Sequence, residues 1–275
     1  MFLLIENYPE SKTRELSGIN SAAWEIRRGV RYLKQIGEIF LILNNLFQDD
    51  PFSRYIYLRA TKNDYQEIIN LMHTSYYPDE PTCACLNITE NPLLDESALH
   101  SLAEGTSMVA RCKFDGTLAG ACINESTSPW DPDIKEKIAC GVNCEQVKRL
   151  LLFYAHMQRL PDVWNKYSVQ KVFEMSQLFV TKCHRKKGIG FRLLKHSRAL
   201  AADCGYKVVR CDATSEYTAK LCKRMGMKKI AEIPYCSYLE SEKLEPVFQP
   251  AHPHKAVKIF VDINPQKKPK KVKSE

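Results

Sequence analysis

A short basic turn with two glycines has the residues to bind an anion. It reads Arg185-Lys186-Lys187-Gly188-Ile189-Gly190, follows an apolar strand-like run and opens a helical pattern that continues to Leu200. Glycine permits positive φ and a close approach of the backbone to a ligand. A helix N-terminus adds unpaired N–H groups and the positive end of the helix dipole, which suit phosphate. The turn therefore predicts a site for a phosphorylated cofactor.

The spacing of the glycines excludes two common phosphate loops. The pattern GxxxxGK[ST] is absent, and GxGxxG fails because its third glycine position holds Leu193. What remains is Arg185-x-x-Gly188-x-Gly190 after a strand. A glycine-containing turn in a solvated basic loop is the alternative that this pattern alone leaves open.

The composition is that of an ordinary globular protein. Of the 275 residues, 44% are hydrophobic and 26% are charged, which predicts one large domain with extensions. The net charge is +8, but five lysines lie in 265–275, which we predict to be a basic disordered tail. Because the rest of the chain is only mildly basic, we expect no nucleic-acid partner.

The cysteines and the apolar runs indicate in which cellular compartment the protein is found. The 11 cysteines match no zinc spacing, so we expect free thiols in a reducing cytoplasm and no metal. The apolar start of the chain is too short for a secretory signal. The longest apolar run, 36–47, is well short of the ~20 residues of a spanning helix. We therefore predict a cytoplasmic protein without a membrane contact.

Regular secondary structure is predicted from Tyr55 onward, in a domain that spans 54–264. Residues 1–53 look like a partly helical extension of low order. An Asp-Gly turn at 115–116 joins two apolar runs and predicts a hairpin. The expected strands cover 55–60, 107–112, 118–124, 169–180, 206–213, 228–233 and 256–261, and the expected helices cover 63–72, 94–104, 144–166, 189–200 and 214–225. Within 144–166 we expect Pro161 to kink the helix or to start a new turn, and 126–133 is predicted to be a proline-rich loop.

Four separated segments resemble one enzyme family. The loop at 185–190 is similar to the acetyl-CoA pyrophosphate loop, [Q/R]xxGx[G/A], of the GNAT superfamily of N-acetyltransferases. Segments 76–81, 214–219 and 247–254 are similar to the FxxDEPL, SSxYSA and VFxPxxPH segments of the arthropod-type arylalkylamine N-acetyltransferases. The resemblance covers 55–263, with all four landmarks in the family's order.

The resemblance implies both a fold and a co-substrate. The fold is the α/β (α+β) GNAT fold, a mixed and mostly antiparallel sheet flanked by helices, with splayed central strands. The co-substrate is acetyl-CoA, whose pantetheine arm would pair with the backbone of Leu178, Phe179 and Val180 like an added strand. Its pyrophosphate would bind Arg185, Lys186, Lys187, Gly188, Ile189 and Gly190. A solvated basic edge is an equal alternative for the two lysines.

The implied reaction is acetyl transfer to a primary amine. The amine must first lose a proton, because a free alkylamine has a pKa near ~10. By resemblance the base is Glu80, whose alternative role is to shape a turn before Pro81. Hydroxyls of Thr214, Ser215 and Thr218 would relay protons, and helix capping is the alternative for the first two.

One position departs from the wider superfamily. Many GNAT enzymes place a tyrosine general acid four residues before a helix-ending glycine. Here that position is Cys222, before Gly226, and the arylalkylamine subfamily also commonly lacks the tyrosine. Tyr217 is then a substitute candidate for the acid.

The acceptor site should combine aromatic surface with one acidic group. Tyr76, Tyr77 and Met175 are the candidate substrate contacts, and His73, His252 and His254 are expected to be structural. We predict a monomeric enzyme that acetylates a small amine, with an arylalkylamine as the expected substrate. A protein or peptide acetyltransferase, and a non-catalytic acetyl-CoA-binding module, are the alternatives.

Overall fold

A seven-stranded sheet forms the centre of the fold. The structure, a computed structural model, describes residues 54–240 and 244–265. The strands are β1 (Tyr55–Arg59), β2 (Met108–Cys112), β3 (Leu118–Thr127), β4 (Val172–Val180), β5 (Val208–Ala213), β6 (Lys228–Pro234) and β7 (Ala256–Ile263). Their order is β1-β2-β3-β4-β5-β7-β6, and each neighbouring pair is antiparallel except β4 and β5. The predicted mixed, mostly antiparallel sheet is confirmed.

Helices cover both faces of this sheet. They are α1 (Tyr65–Leu71), α2 (Pro81–Cys85), α3 (Pro92–Ala103), α4 (Asp131–Gly141), α5 (Glu145–Arg159), α6 (Val163–Tyr167), α7 (Ile189–Asp203) and α8 (Glu216–Arg224). On one face, here the α5 face, buried residues of α1, α3 and α5 pack against β3 and β7. On the other, the α7 face, residues of α7 and α8 pack against β2, β4 and β5. A ligand can therefore reach the sheet only where one of these helical layers leaves it uncovered.

Proline shapes the helices at two places. The helix expected over 144–166 is divided into α5 and α6 at Pro161, where a kink or a new turn is expected, because proline has no N–H to continue the first helix. Segment 126–133 is predicted as a loop, yet α4 begins within it and carries Pro132 in its first turn. Proline is tolerated there because the first N–H groups of a helix have no intrahelical acceptor.

The two central strands separate soon after they pair. Between β4 and β5 the register contains Phe173 with Val209 and Glu174 with Arg210, and the pairing ends there. Across the other edge of β4, a β-bulge leaves Ser176 without a direct partner on β3. The segment of β4 that runs to Val180 is therefore paired on one edge and open on the other, as the expected splay requires.

Some sequence predictions fall outside the described residues. These are the extension at 1–53, the apolar run at 36–47 and all but the first residue of the tail at 265–275. Over the residues that are described, every helix is too short or too polar to cross a membrane.

Gly120 allows β3 to approach the open part of β4. It pairs with Val180, and a Cβ at this position would lie 2.5 Å from the Phe179 carbonyl oxygen and 3.1 Å from the Val180 Cα. Both neighbours are backbone atoms, so the strand itself would have to move.

We predict that Gly120→Ala lowers the free energy of unfolding by about 1–3 kcal/mol, because overpacking displaces the backbone of β4. Urea denaturation measures this change. Gly141→Ala is the matched control, since a Cβ there meets nothing within 4 Å. Equal unfolding midpoints for Gly120→Ala and the wild type would contradict the prediction.

Candidate active site

A π-helical turn brings the predicted acceptor segment to the open strand. It spans Met72–Tyr76, directly after α1, and π-turns are frequent at functional sites. The Tyr76 ring lies 6.0 Å from the Phe179 ring and 5.5 Å from the Tyr77 ring, measured between centroids. The Glu80 N–H donates to the Tyr76 carbonyl at 2.8 Å, which holds the carboxylate segment against this turn.

Glu80 is buried and accepts hydrogen bonds through one of its two carboxylate oxygens. It is 5% exposed, and its Oε2 accepts hydrogen bonds from Thr82 Oγ1 at 2.5 Å and from Cys83 N at 2.7 Å. These bonds cap α2, so the turn-shaping role is present. Its Oε1 is also buried, but it has no hydrogen-bond partner among the described residues. One oxygen therefore fixes the carboxylate, while the other remains an acceptor.

Three tyrosines lie close enough to this carboxylate for its charge to act on them. Burial, and then the charge of Glu80, raises the pKa of Tyr76, Tyr154 and Tyr235 well above the usual tyrosine range. All three hydroxyls are therefore protonated at neutral pH. The Tyr154 hydroxyl lies 3.4 Å from Thr82 Oγ1. Sequence reasoning missed Tyr154 and Tyr235 because they belong to distant elements and carry no motif.

The predicted hydroxyl segment caps α8. Ser215 Oγ accepts from the Thr218 N–H at 3.0 Å and donates to Thr218 Oγ1 at 2.9 Å, while the Tyr235 hydroxyl donates to the Thr214 carbonyl at 2.7 Å. Capping is therefore present at Ser215, and Tyr235 connects this segment to the surroundings of Glu80.

His254 lies at the same helix end. Its Nδ1 accepts from the Glu216 N–H at 3.1 Å, an arrangement that requires Nδ1 to be unprotonated. Burial lowers the pKa of His254, against an opposing effect of Glu80 and Glu216. The ring is thus neutral at pH 7 and packs edge-on against Tyr217, at 5.3 Å between centroids.

The predicted anion loop is tied to the acceptor segment by its arginine. Arg185 Nε donates to the Val180 carbonyl at 2.9 Å, and Arg185 Nη2 pairs with Asp79 Oδ2 at 2.6 Å. Lys186 and Gly188 have φ of 61° and 77°, in the left-handed region that glycine favours. The loop ends at the N-terminus of the 15-residue α7, whose first N–H groups are available to an anion.

The bulge at Ser176 decides which predicted contacts come together. Phe179 lies on the α5 face with Tyr76, whereas Leu178 and Val180 point toward the α7 face. In a regular strand, Met175 would share the face of Phe179, but the extra residue turns it to the α7 face, where it is 2% exposed. The structure therefore does not place Met175 beside Tyr76.

Two other candidates are buried in packing positions. Tyr77 is 1% exposed and its hydroxyl donates to Asp95 Oδ1 at 3.1 Å, so it braces the π-turn against α3. Cys222, at the position where many GNAT enzymes carry a tyrosine, is fully buried on the core side of α8. Tyr217 is 62% exposed at the start of that helix.

Comparison with known proteins gives matches over the same region. Residues 65–227, more than half of the chain, match the family model described as "Acetyltransferase (GNAT) family". Arylalkylamine N-acetyltransferase 2 from Aedes aegypti is 25% identical, with a TM-score of 0.73, and the match covers 77% of this chain and 100% of that chain.

Two further solved structures show the same fold. The mosquito arylalkylamine N-acetyltransferase like 5b is 24% identical, with a TM-score of 0.71 over 76% of this chain and 99% of its own. A Drosophila melanogaster polyamine N-acetyltransferase, which forms N-acetylagmatine, is 23% identical, with a TM-score of 0.70 over the same shares. The family match includes the Glu80 segment, the anion loop and the cap of α8. The chain belongs to the GNAT family of acetyltransferases.

Proposed function

We propose that this enzyme transfers the acetyl group of acetyl-CoA to a primary amine of a small molecule, with Glu80 as the base. The observation that carries the proposal is the buried Oε1 of Glu80, which has no partner among the described residues. A buried acceptor without a partner is unfavourable unless a ligand supplies the donor. An amine nitrogen is such a donor.

The open edge of β4 and the anion loop are the proposed donor site. Leu178, Phe179 and Val180 present backbone groups for an added strand, and the loop that follows offers two cationic lysines and a helix N-terminus. Members of the family generally use acetyl-CoA, which supplies an acetyl thioester that an amine can attack. The Arg185–Asp79 pair joins this donor site to the acceptor segment.

The residues around Glu80 are suited to orient a proton acceptor. Thr82 and Cys83 fix Oε2, so Oε1 faces the amine in a single orientation, and positioning of this kind lowers the barrier. The burial of Glu80, which is 5% exposed, limits the access of water to the carboxylate. The Ser215–Thr218 hydroxyl pair is the proposed relay that returns a proton toward the leaving thiolate.

The buried surroundings of Glu80 favour a small acceptor over a peptide. A peptide acetyltransferase needs an open groove for several residues, whereas Glu80 is only 5% exposed. A non-catalytic module would have no use for a carboxylate held with one unpaired oxygen. Both alternatives remain testable with the variants below.

We predict that Glu80→Gln lowers kcat/KM for a primary amine by about 10²–10⁴-fold at neutral pH, because it removes a general base. The glutamine oxygen can still accept from Cys83 N, so the cap of α2 is retained. Steady-state measurement of CoA release at neutral pH tests this.

The matched control is Glu90→Gln, which makes the same chemical change at a carboxylate whose side chain is 74% exposed. Glu90→Gln should behave as the wild type. If Glu80→Gln retains wild-type kcat/KM at neutral pH, Glu80 is not the base.

We predict that Arg185→Ala weakens acetyl-CoA binding by roughly 10- to 100-fold, the loss expected for a charge-assisted contact. Isothermal titration calorimetry with acetyl-CoA measures the Kd. Lys229→Ala, an exposed cation on β6, is the control and should bind as the wild type. Unchanged affinity in Arg185→Ala would show that the loop binds no phosphate through this residue.

A pair of Ser215 variants separates capping from proton relay. Ser215→Ala removes the cap and should destabilise the protein by about 1 kcal/mol, whereas Ser215→Gly should cost only a few tenths. Both lack the hydroxyl, so we predict a similar fall of kcat in the two variants despite their different stabilities. Wild-type kcat in Ser215→Gly would mean that Ser215 acts only as a cap.

A further inference from the structure

A second group of charged side chains lies on the α5 face, where β4 and β5 begin to separate. We call it the basal cluster, and it consists of Glu125, Gln158, Glu174, Arg210 and Asp212. Glu125 faces Glu174 across β3 and β4, and Glu174 is level with Arg210 across β4 and β5. The bulge at Ser176 turns Glu174 onto this face, the same one that carries Phe179.

Among the described residues, the single arginine of the cluster makes all four of its hydrogen bonds to groups other than Glu174 and Glu125. Arg210 binds Asp212 through two bonds, Nε to Oδ1 and Nη2 to Oδ2, each 2.8 Å long. It also donates to the backbone carbonyls of Met157 at 2.7 Å and Gln158 at 3.0 Å. Within the cluster, one arginine therefore stands against the carboxyl groups of Asp212, Glu125 and Glu174.

Glu174 has a hydrogen bond but no salt bridge within the described part of the chain. Its Oε2 accepts from Gln158 Nε2 at 3.1 Å. A carboxylate directly opposite on a neighbouring strand, here Glu125, is unfavourable unless something compensates the repulsion. The cluster therefore holds more carboxyl groups than positive groups, and a bound cation would offset the difference.

Unpartnered acceptors beside the cluster point to a donor. Gln158 is 3% exposed, and its Oε1, on the amide that binds Glu174, has no partner among the described residues. Gln177 Oε1 is likewise buried and unpartnered, on the same face of β4 between Glu174 and Phe179. Buried acceptors are normally satisfied, and these two accept only from a group that carries N–H or O–H.

The ionisation of Glu174 agrees with this geometry. Burial and the charges of Asp212 and Glu125 raise its pKa to about 7, although Arg210 and Lys135 act in the opposite direction. A positive group bound beside Glu174 would favour the ionised carboxylate and so bind more tightly as the pH rises above this value.

We propose that the basal cluster is a subsite for a second positive group on the acceptor. The preferred substrate is then an aliphatic diamine, a polyamine or a guanidino-alkylamine, rather than an arylalkylamine with one charge. An aryl ring would leave the Gln158 acceptor unpaired and give Glu174 no counter-charge. The inference rests on the proposed function, because it needs a reacting amine near Glu80.

The spacing along α5 fits a flexible acceptor. Tyr154 lies beside Glu80, with its hydroxyl 3.4 Å from the Thr82 hydroxyl that donates to Glu80. Gln158, which donates to Glu174, is four residues further along α5, or about 6 Å at the usual helical rise. A short aliphatic chain with a positive group at each end matches this spacing and leaves the open backbone edge of β4 to the donor.

A matched pair of substrates tests the subsite. In 1,5-diaminopentane and n-hexylamine the chains are equally long, and they differ by a terminal ammonium against a methyl group. We expect wild-type kcat/KM to favour the diamine by about tenfold or more, the scale of a charge-assisted contact. In Glu174→Gln this ratio should fall close to one, while Glu96→Gln, at an exposed carboxylate of α3, should keep it.

Each outcome supports or overturns the subsite. Equal kcat/KM for the two amines in the wild type, or a ratio that survives Glu174→Gln, overturns it. If the wild type acetylates tryptamine but neither of these amines, the subsite is overturned and the proposed function stands. If it acetylates none of the three, the proposed function fails, and calorimetry with 1,5-diaminopentane decides the subsite alone: binding that is lost in Glu174→Gln supports it, and absent binding overturns it. If circular dichroism shows that Glu174→Gln does not fold, Glu125→Gln is measured in its place.

Discussion

The separation of β4 from β5 is the constraint on which the rest of the molecule depends. The two strands pair at Phe173 and Glu174 and then part, so one edge of β4 is open up to Val180. The separation is compatible with a stable sheet because β3 holds the other edge of β4 throughout, and Gly120 lets that strand approach closely. Backbone groups that a neighbouring strand would normally satisfy are thereby left for a ligand.

The bulge at Ser176 determines which side chains of β4 lie on each face of the sheet. An extra residue reverses the alternation of side chains on the N-terminal side of the bulge, so Met175 packs under α7 and Glu174 turns toward α5. Phe179, beyond the bulge, faces Tyr76. Helix α7 thus rests on an apolar layer, while the proposed acceptor side combines aromatic rings with buried carboxylates.

On the proposed acceptor side, two buried carboxyl groups, those of Glu80 and Glu174, lack part of their hydrogen-bond or charge partners among the described residues. Glu80 uses one oxygen to cap α2, while its other oxygen has no hydrogen-bond partner among the described residues, and Glu174 bonds there to a glutamine and not to a cation. Keeping such groups buried is unfavourable, and unfavourable arrangements persist where ligands compensate them. The Asp79–Arg185 pair links the Glu80 segment to the predicted anion loop.

The local features of the chain are readable from its sequence. The anion loop, the hairpin turn at Gly116, the left-handed Gly226 and the divided helix at Pro161 depend on residue types a few positions apart, because glycine and proline act on their own backbone. Short motifs likewise located Glu80 and Ser215. These features also indicated the family, since its motifs are local.

Tertiary structure alone decided how distant residues meet. Tyr154 and Tyr235 lie close enough to Glu80 to feel its charge, although 74 and 155 positions separate them from it, and no pattern in the chain marks that proximity. The predicted grouping of Met175 with Tyr76 follows from regular strand alternation, and one bulged residue reverses it. The basal cluster depends on the register of three neighbouring strands and on α5 lying over them. Such contacts are set by packing and strand register across the fold, which no local spacing encodes.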